Sequence, residues 1–142
     1  MFERPPVDAV ARRAIAGRGF DDRVGVAPGD MLRDPLPQGH DVHLISNVLH
    51  DWDVPAVDTI LRASLSALPP GGMLVIHDAH LNAEKTGPLP VAAYSVMLMH
   101  GTEGRCYSVA EMFERTSAAG FRDQAFVETA GDRSLVTARK PA

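Results

Sequence analysis

A single cysteine, Cys106, among 142 residues leaves no partner for an internal disulfide and fits a reducing compartment. Charge of one sign is equally scarce: 14 Lys and Arg stand against 18 Asp and Glu, a net charge of -4. No basic run occurs, which excludes the electrostatic footprint of a nucleic-acid binder. No apolar stretch approaches the roughly 20 residues that span a bilayer. The opening "MFERPPVDAV" lacks the long apolar core of a secretory signal. The expected protein is therefore cytoplasmic, with neither a membrane nor a nucleic acid as partner. Signatures of other enzyme classes are missing too. There is no "GxSxG" elbow for a hydrolase and no Cys–His pair with a base role. "GRGF" at residues 17–20 is not a phosphate loop, because it follows a helical stretch and lacks a third glycine.

What is present is a globular composition, 45% hydrophobic and 23% charged, long enough for one domain. Residues 7–17 carry Val7, Val10, Ala11, Ala14 and Ile15 at helical spacing, with Gly17 and Gly19 as punctuation. "RVGVAP" (23–28) and "DVHLIS" (41–46) read as strands. Residues 54–67 read as a helix capped by Asp53, with Pro55 in its first turn and "LPPGG" as its stop. "MLVIHD" (73–78) is a continuous apolar run, expected of a strand covered on both faces. "VAAYSVMLMH" (91–100) and "SVAEMFERTSAAG" (108–120) read as helices, the second with a Ser108–Glu111 capping box and a stop at Gly120. "DQAFVETA" and "RSLVTARK" form a C-terminal antiparallel hairpin around "GD". Strands alternating with helices predict an α/β fold on a mostly parallel, doubly wound sheet.

"NVLHDWD" (47–53) holds the only tryptophan and puts His50 where a strand ends and a helix begins. In open α/β sheets ligands bind along that edge. His50 is thus either a catalytic base or a loop residue bonded locally near the start of the Asp53 helix. His77, Asp78 and His80 resemble metal ligands. On a strand, however, the first two point to opposite faces and no further ligands follow at matching spacing, so no metal is expected.

The run "GDM", then a "DPLP" loop, then "NVLHDWD", then "ALPPGG" before a strand resembles one family. It is similar to the S-adenosylmethionine-dependent small-molecule O-methyltransferases, both the plant caffeic-acid type and the bacterial members. Order and spacing carry the specificity. The likeness continues through "HGTEGRCYSVAEMFERTSAAGF" and covers nearly the whole chain.

The resemblance implies a Rossmann-like class I methyltransferase sheet, S-adenosylmethionine as cofactor and a small aromatic or polyketide-like hydroxylated acceptor. It makes His50 the base that takes the acceptor's hydroxyl proton while the oxygen attacks the methyl group in line. A phenol titrates at about 10 and imidazole at about 6.5, so free transfer is uphill. Coupling proton removal to bond formation lifts that difficulty, and in-line positioning supplies much of the rate. The carboxylate that orients the histidine falls on Asp78, where the family has glutamate. A second family glutamate falls on Cys106, and a thiol is a poor substitute acceptor. For the cofactor, the resemblance implies Glu3 at the ribose hydroxyls, and Gly29, Asp30 and Met31 at the adenine. Ser46 stands where the plant enzymes have a lysine. For the acceptor it implies a wall of Val96, Met97 and Gly101 with Asp51. Trp52 either joins that wall or anchors the helix start, and the Met-rich stretch is either pocket or plain core.

The resemblance also implies parts outside these residues: the family's first strand, the glycine-rich "GxGxxG" loop after it, and a helical N-terminal dimerisation domain. Residues 1–142 are then a single partial catalytic domain. The first strand is central in the family's sheet, so without it two half-sheets with unpaired edges are expected. Three readings stay open. The chain is the C-terminal piece of a split methyltransferase, completed by a protein partner. It is a truncated fragment that self-associates to cover its edges. Or it is a non-catalytic binding or regulatory subunit. The retained "HDWD" weighs against the third, and the missing loop weighs for it.

Overall fold

The computed structural model describes residues 1–142. Its strands are β1 (Phe2–Glu3), β2 (Ala27–Pro28), β3 (Val42–Ser46), β4 (Met73–Asp78), β5 (Arg122–Glu128) and β6 (Ser134–Arg139). Its helices are α1 (Val7–Ala16), α2 (Val54–Ala67), α3 (Leu89–Gly101) and α4 (Val109–Ala119), with a short 3-10 turn at Leu49–Asp51.

Helices α2 and α4 begin where their caps dictate. Asp53 is extended and accepts from the Ala56 N–H at 3.0 Å, satisfying a donor that the first turn leaves free. The buried face of α2 is Val57, Ile60, Leu61 and Ser64, one stripe of a 3.6-residue period. At α4 the Ser108–Glu111 capping box is complete, and Gly120 ends the helix in the left-handed region at φ 112°. These two helices pack on each other over a core that includes Leu49, Leu74, Ile76, Tyr107, Met112, Phe121 and Val136.

The main sheet runs β3–β4–β6–β5, and β1–β2 form a separate two-stranded piece. β1–β2 and β3–β4 are parallel, while β4–β6 and β6–β5 are antiparallel. The mostly parallel sheet expected from alternation is therefore corrected to an even mixture. The C-terminal hairpin folds back and inserts β6 beside β4. The strand expected at 23–28 is also shorter. Only Ala27–Pro28 pair, because their sole neighbour β1 offers two residues. β4 buries Leu74, Ile76 and Asp78 on one face and leaves Met73, Val75 and His77 half-buried on the other. That alternation replaces the expected two-sided burial.

A cleft of about 890 Å³ separates the two sheet pieces, lined by Met1–Glu3 on one side and Val42–Ser46 on the other. β3 is thus an edge strand, with Leu44 65% exposed. α3 is apolar all round, yet it buries only Val91, Ser95 and Leu98. Its Leu89, Val96, Met97 and Met99 stand in solvent.

Candidate active site

The site lies where β3 and β4 end. Asn47, in the left-handed region at φ 51°, turns the chain out of β3 and into the 3-10 turn that carries His50. Its N–H still donates to the His77 carbonyl at 2.9 Å, which ties the turn to β4. Asp78 is the last residue of β4 and lies under that turn.

His50 is 5% exposed and Asp78 4% exposed. The His50 Nδ1–H donates to Oδ1 of Asp78 at 2.5 Å, and the same oxygen accepts from the Ala79 N–H at 2.8 Å. A proton held on Nδ1 leaves the lone pair of the neutral ring on Nε2. The bond to Asp78 raises the His50 pKa above its ordinary value. Desolvation opposes that rise, the charges of Asp78 and Asp51 add to it, and Arg133 lowers it. The arrangement is a buried imidazole whose tautomer is set by a carboxylate and whose basic nitrogen is aimed away from it.

Two oxygens stand around Nε2, and a guanidinium bears on one of them. The Tyr94 hydroxyl lies 3.4 Å away, with the two rings edge to face at 82°. Oδ1 of Asp51 is 3.7 Å away. Arg133 places its guanidinium 5.2 Å over the Tyr94 ring, while its Nε–H donates to Oδ1 of Asn47 at 2.9 Å. Neither Tyr94 nor Arg133 is among the residues expected from sequence. The only available signal was that Tyr94 shares a helix face with Met97, three residues on.

Gly104 is a third residue the sequence reading missed. A Cβ there would overlap the His50 carbonyl oxygen and the Trp52 nitrogen. The loop between α3 and α4 therefore braces the histidine turn from behind, and only glycine fits. We expect Gly104→Ala to cost about 1–3 kcal/mol through overpacking against backbone. A melting temperature within a degree of the parent would refute that close approach.

The remaining expected residues divide between places. Glu3, Met31 and Ser46 line the cleft together, and Glu3 is the only acid in its lining. Gly29 packs on the Phe2 ring, where a Cβ would collide. Asp30 spends its carboxylate locally: Oδ1 accepts from the Leu32 N–H at 3.0 Å, and Oδ2 faces Arg4 at 3.6 Å. Neither Gly29 nor Asp30 lines the cleft. Val96 and Met97 are exposed on α3, and Gly101 ends that helix. Trp52 packs on the main core, and its carbonyl accepts from the Tyr107 hydroxyl at 2.7 Å, so it anchors the helix start. Cys106 is buried, and desolvation pushes its thiol up to about 11, so it stays protonated beside Asp78. His77 bonds Ser46 and His80 bonds Ser134, so the two histidines serve separate neighbours.

Residues 1–122 match the family described as the O-methyltransferase domain. The chain belongs to that family. It is 40% identical over 120 residues to 3-hydroxy-5-methyl-1-naphthoate 3-O-methyltransferase of Streptomyces sahachiroi, covering 84% of this chain and 35% of that protein. Among solved structures, it matches an O-methyltransferase family 2 protein of Planctomyces limnophilus in complex with apigenin at TM-score 0.91 and 40% identity. The overlap is 98% of this chain and 41% of that one. Human N-acetylserotonin methyltransferase in complex with SAM matches at TM-score 0.91 and 29% identity, covering 99% of this chain and 40% of that one. The chain thus spans about two fifths of the length of these O-methyltransferases.

Proposed function

We propose that this chain carries the acid–base half of an S-adenosylmethionine-dependent O-methyltransferase, acting on a small hydroxylated aromatic or polyketide-like acceptor. The observation that carries the reading is the buried Asp78–His50 pair, which fixes a lone pair on Nε2 at the carboxyl end of the sheet. His50 takes the hydroxyl proton. Asp78 holds the ring's tautomer and stabilises the imidazolium that forms. Val96 and Met97 on α3 offer apolar surface to the acceptor's ring.

The cleft fits the nucleoside part of the cofactor. It is mostly apolar, and Glu3 is its one carboxylate, suited to a ribose diol. Met31 offers a thioether to the adenine. When bound, S-adenosylmethionine supplies an electrophilic methyl group on a sulfonium. Asp30 is committed to its own turn and Ser46 to His77, which leaves Glu3 and Met31 as the principal cofactor contacts.

Residues 1–142 act as one partial catalytic unit in this reading. The same cleft has an unpaired strand edge on each side, that of β1 and that of β3, so a further polypeptide strand completes the sheet and brings the glycine loop. Joining the chain to the glycine-loop portion of an O-methyltransferase relative tests the whole proposal. Labelled methyl from S-adenosylmethionine should then appear on the oxygen of a hydroxynaphthoate or a hydroxyflavone. A folded hybrid that binds the cofactor and methylates neither would refute it.

A further inference from the structure

Tyr94 has no part in the proton transfer described above, yet it lies on the nitrogen that must receive the proton. Nδ1 of His50 is taken by Asp78, and Nε2 has two oxygen neighbours, those of Tyr94 and Asp51. A carboxylate only accepts, so the Tyr94 phenol is the one donor aimed at the Nε2 lone pair. That is the same chemical group a hydroxyarene acceptor must place there. The Arg133 guanidinium lies over the Tyr94 ring and is itself tied to Asn47. With the tyrosine in place His50 is 5% exposed, so an acceptor cannot reach Nε2 unless something moves. Tyr94 can swing aside without opening the main core: it is half-buried, packs against the small cluster that holds Val91 and Leu98, and stands on the helix whose Val96 and Met97 face solvent.

We propose that Tyr94 is an acceptor-gating residue whose phenol holds the acceptor's place on Nε2 of His50, latched by Arg133, and which an incoming hydroxyl displaces. This rests on His50 being the base. The closed arrangement lowers apparent acceptor affinity by the fraction of molecules that are open. It also shields the neutral imidazole from stray electrophiles while the site is empty.

The test reads access to Nε2 and needs neither cofactor nor acceptor. Diethyl pyrocarbonate acylates an unprotonated imidazole, and peptide mass mapping gives a rate for each histidine in the full chain at mildly alkaline pH. His80 is the internal control. It is buried beneath Ser134, and desolvation lowers its pKa to about 4, so it is neutral and reacts only if the fold loosens. Tyr94→Phe should raise the His50 rate about two- to tenfold, the worth of one hydrogen bond, with His80 unchanged. Tyr94→Ala should raise it further, and Arg133→Ala should raise it by releasing the latch. An unchanged His50 rate in Tyr94→Phe, or a His80 rate rising in step with it, would overturn the gate. Either result would leave the base assignment standing. Conversely, full methyl transfer by a His50→Gln hybrid would remove the base assignment without altering these rates.

Discussion

In the hybrid that carries the glycine-loop portion, replacing His50 with glutamine should reduce methyl transfer by about a hundred- to ten-thousandfold while cofactor affinity stays within about twofold. Glutamine nearly fills the buried space and can still donate to Asp78, so the fold and the cleft persist. What disappears is the lone pair on Nε2. The acceptor then has to lose its proton to water, and the developing oxyanion has no imidazolium beside it. His50→Ala should lose as much activity and some stability besides, because it leaves a cavity and a buried carboxylate with only the Ala79 N–H as partner. Single-turnover transfer of labelled methyl separates chemistry from binding. Near-normal turnover in the glutamine variant would falsify the base assignment.

Asp78→Asn should produce the second large loss, again about a hundred- to ten-thousandfold, through the tautomer. The amide can offer an N–H to Nδ1, which drives the proton to Nε2 and removes the base without displacing the ring. The pH dependence gives an independent reading. The groups facing His50 are Asp78 from β4, Asp51 from its own turn, Tyr94 from α3 and Arg133 from the β5–β6 connection. Because the folded pKa is raised, the pair's stabilisation is fully present below the unfolded value of about 6.5. It is lost as pH rises through the folded value. Base catalysis runs the other way, since only the neutral ring accepts a proton. Stability should therefore fall and turnover should rise across the same window above about 6.5. Asp78→Asn should move the midpoint of a His50 NMR titration downward. An unmoved midpoint would show that the carboxylate does not govern the ring.

Local chemistry was readable where the cause is local. Asp53 and Ser108 cap helices because each side chain reaches a nearby N–H. His50 and Asp78 meet because two parallel strands end together, and that pairing was legible through the family resemblance, which sets Asp78 where the family has its orienting glutamate. The residues around Nε2 were not readable in this way. Tyr94 sits within an apolar helix whose pattern says nothing about which side meets His50. Arg133 reaches the site from a turn 83 residues further on. Gly104 is required only because another backbone passes beneath it. The short strands failed for a related reason: β2 pairs over only two residues because its partner β1 is that short, and no side-chain pattern encodes a neighbour's length.

The order of strands sets a constraint on synthesis. Residues 134–139 are the latest strand in the chain, yet they occupy an interior lane of the sheet between β4 and β5. Val136 and Ala138 fill the core from that lane, and Arg133 stands at its mouth. Neither the hydrophobic centre nor the histidine's surroundings can settle until residue 139 has cleared the ribosomal tunnel. During translation the flanks of β4 and β5 that β6 will fill stay unpaired until that moment.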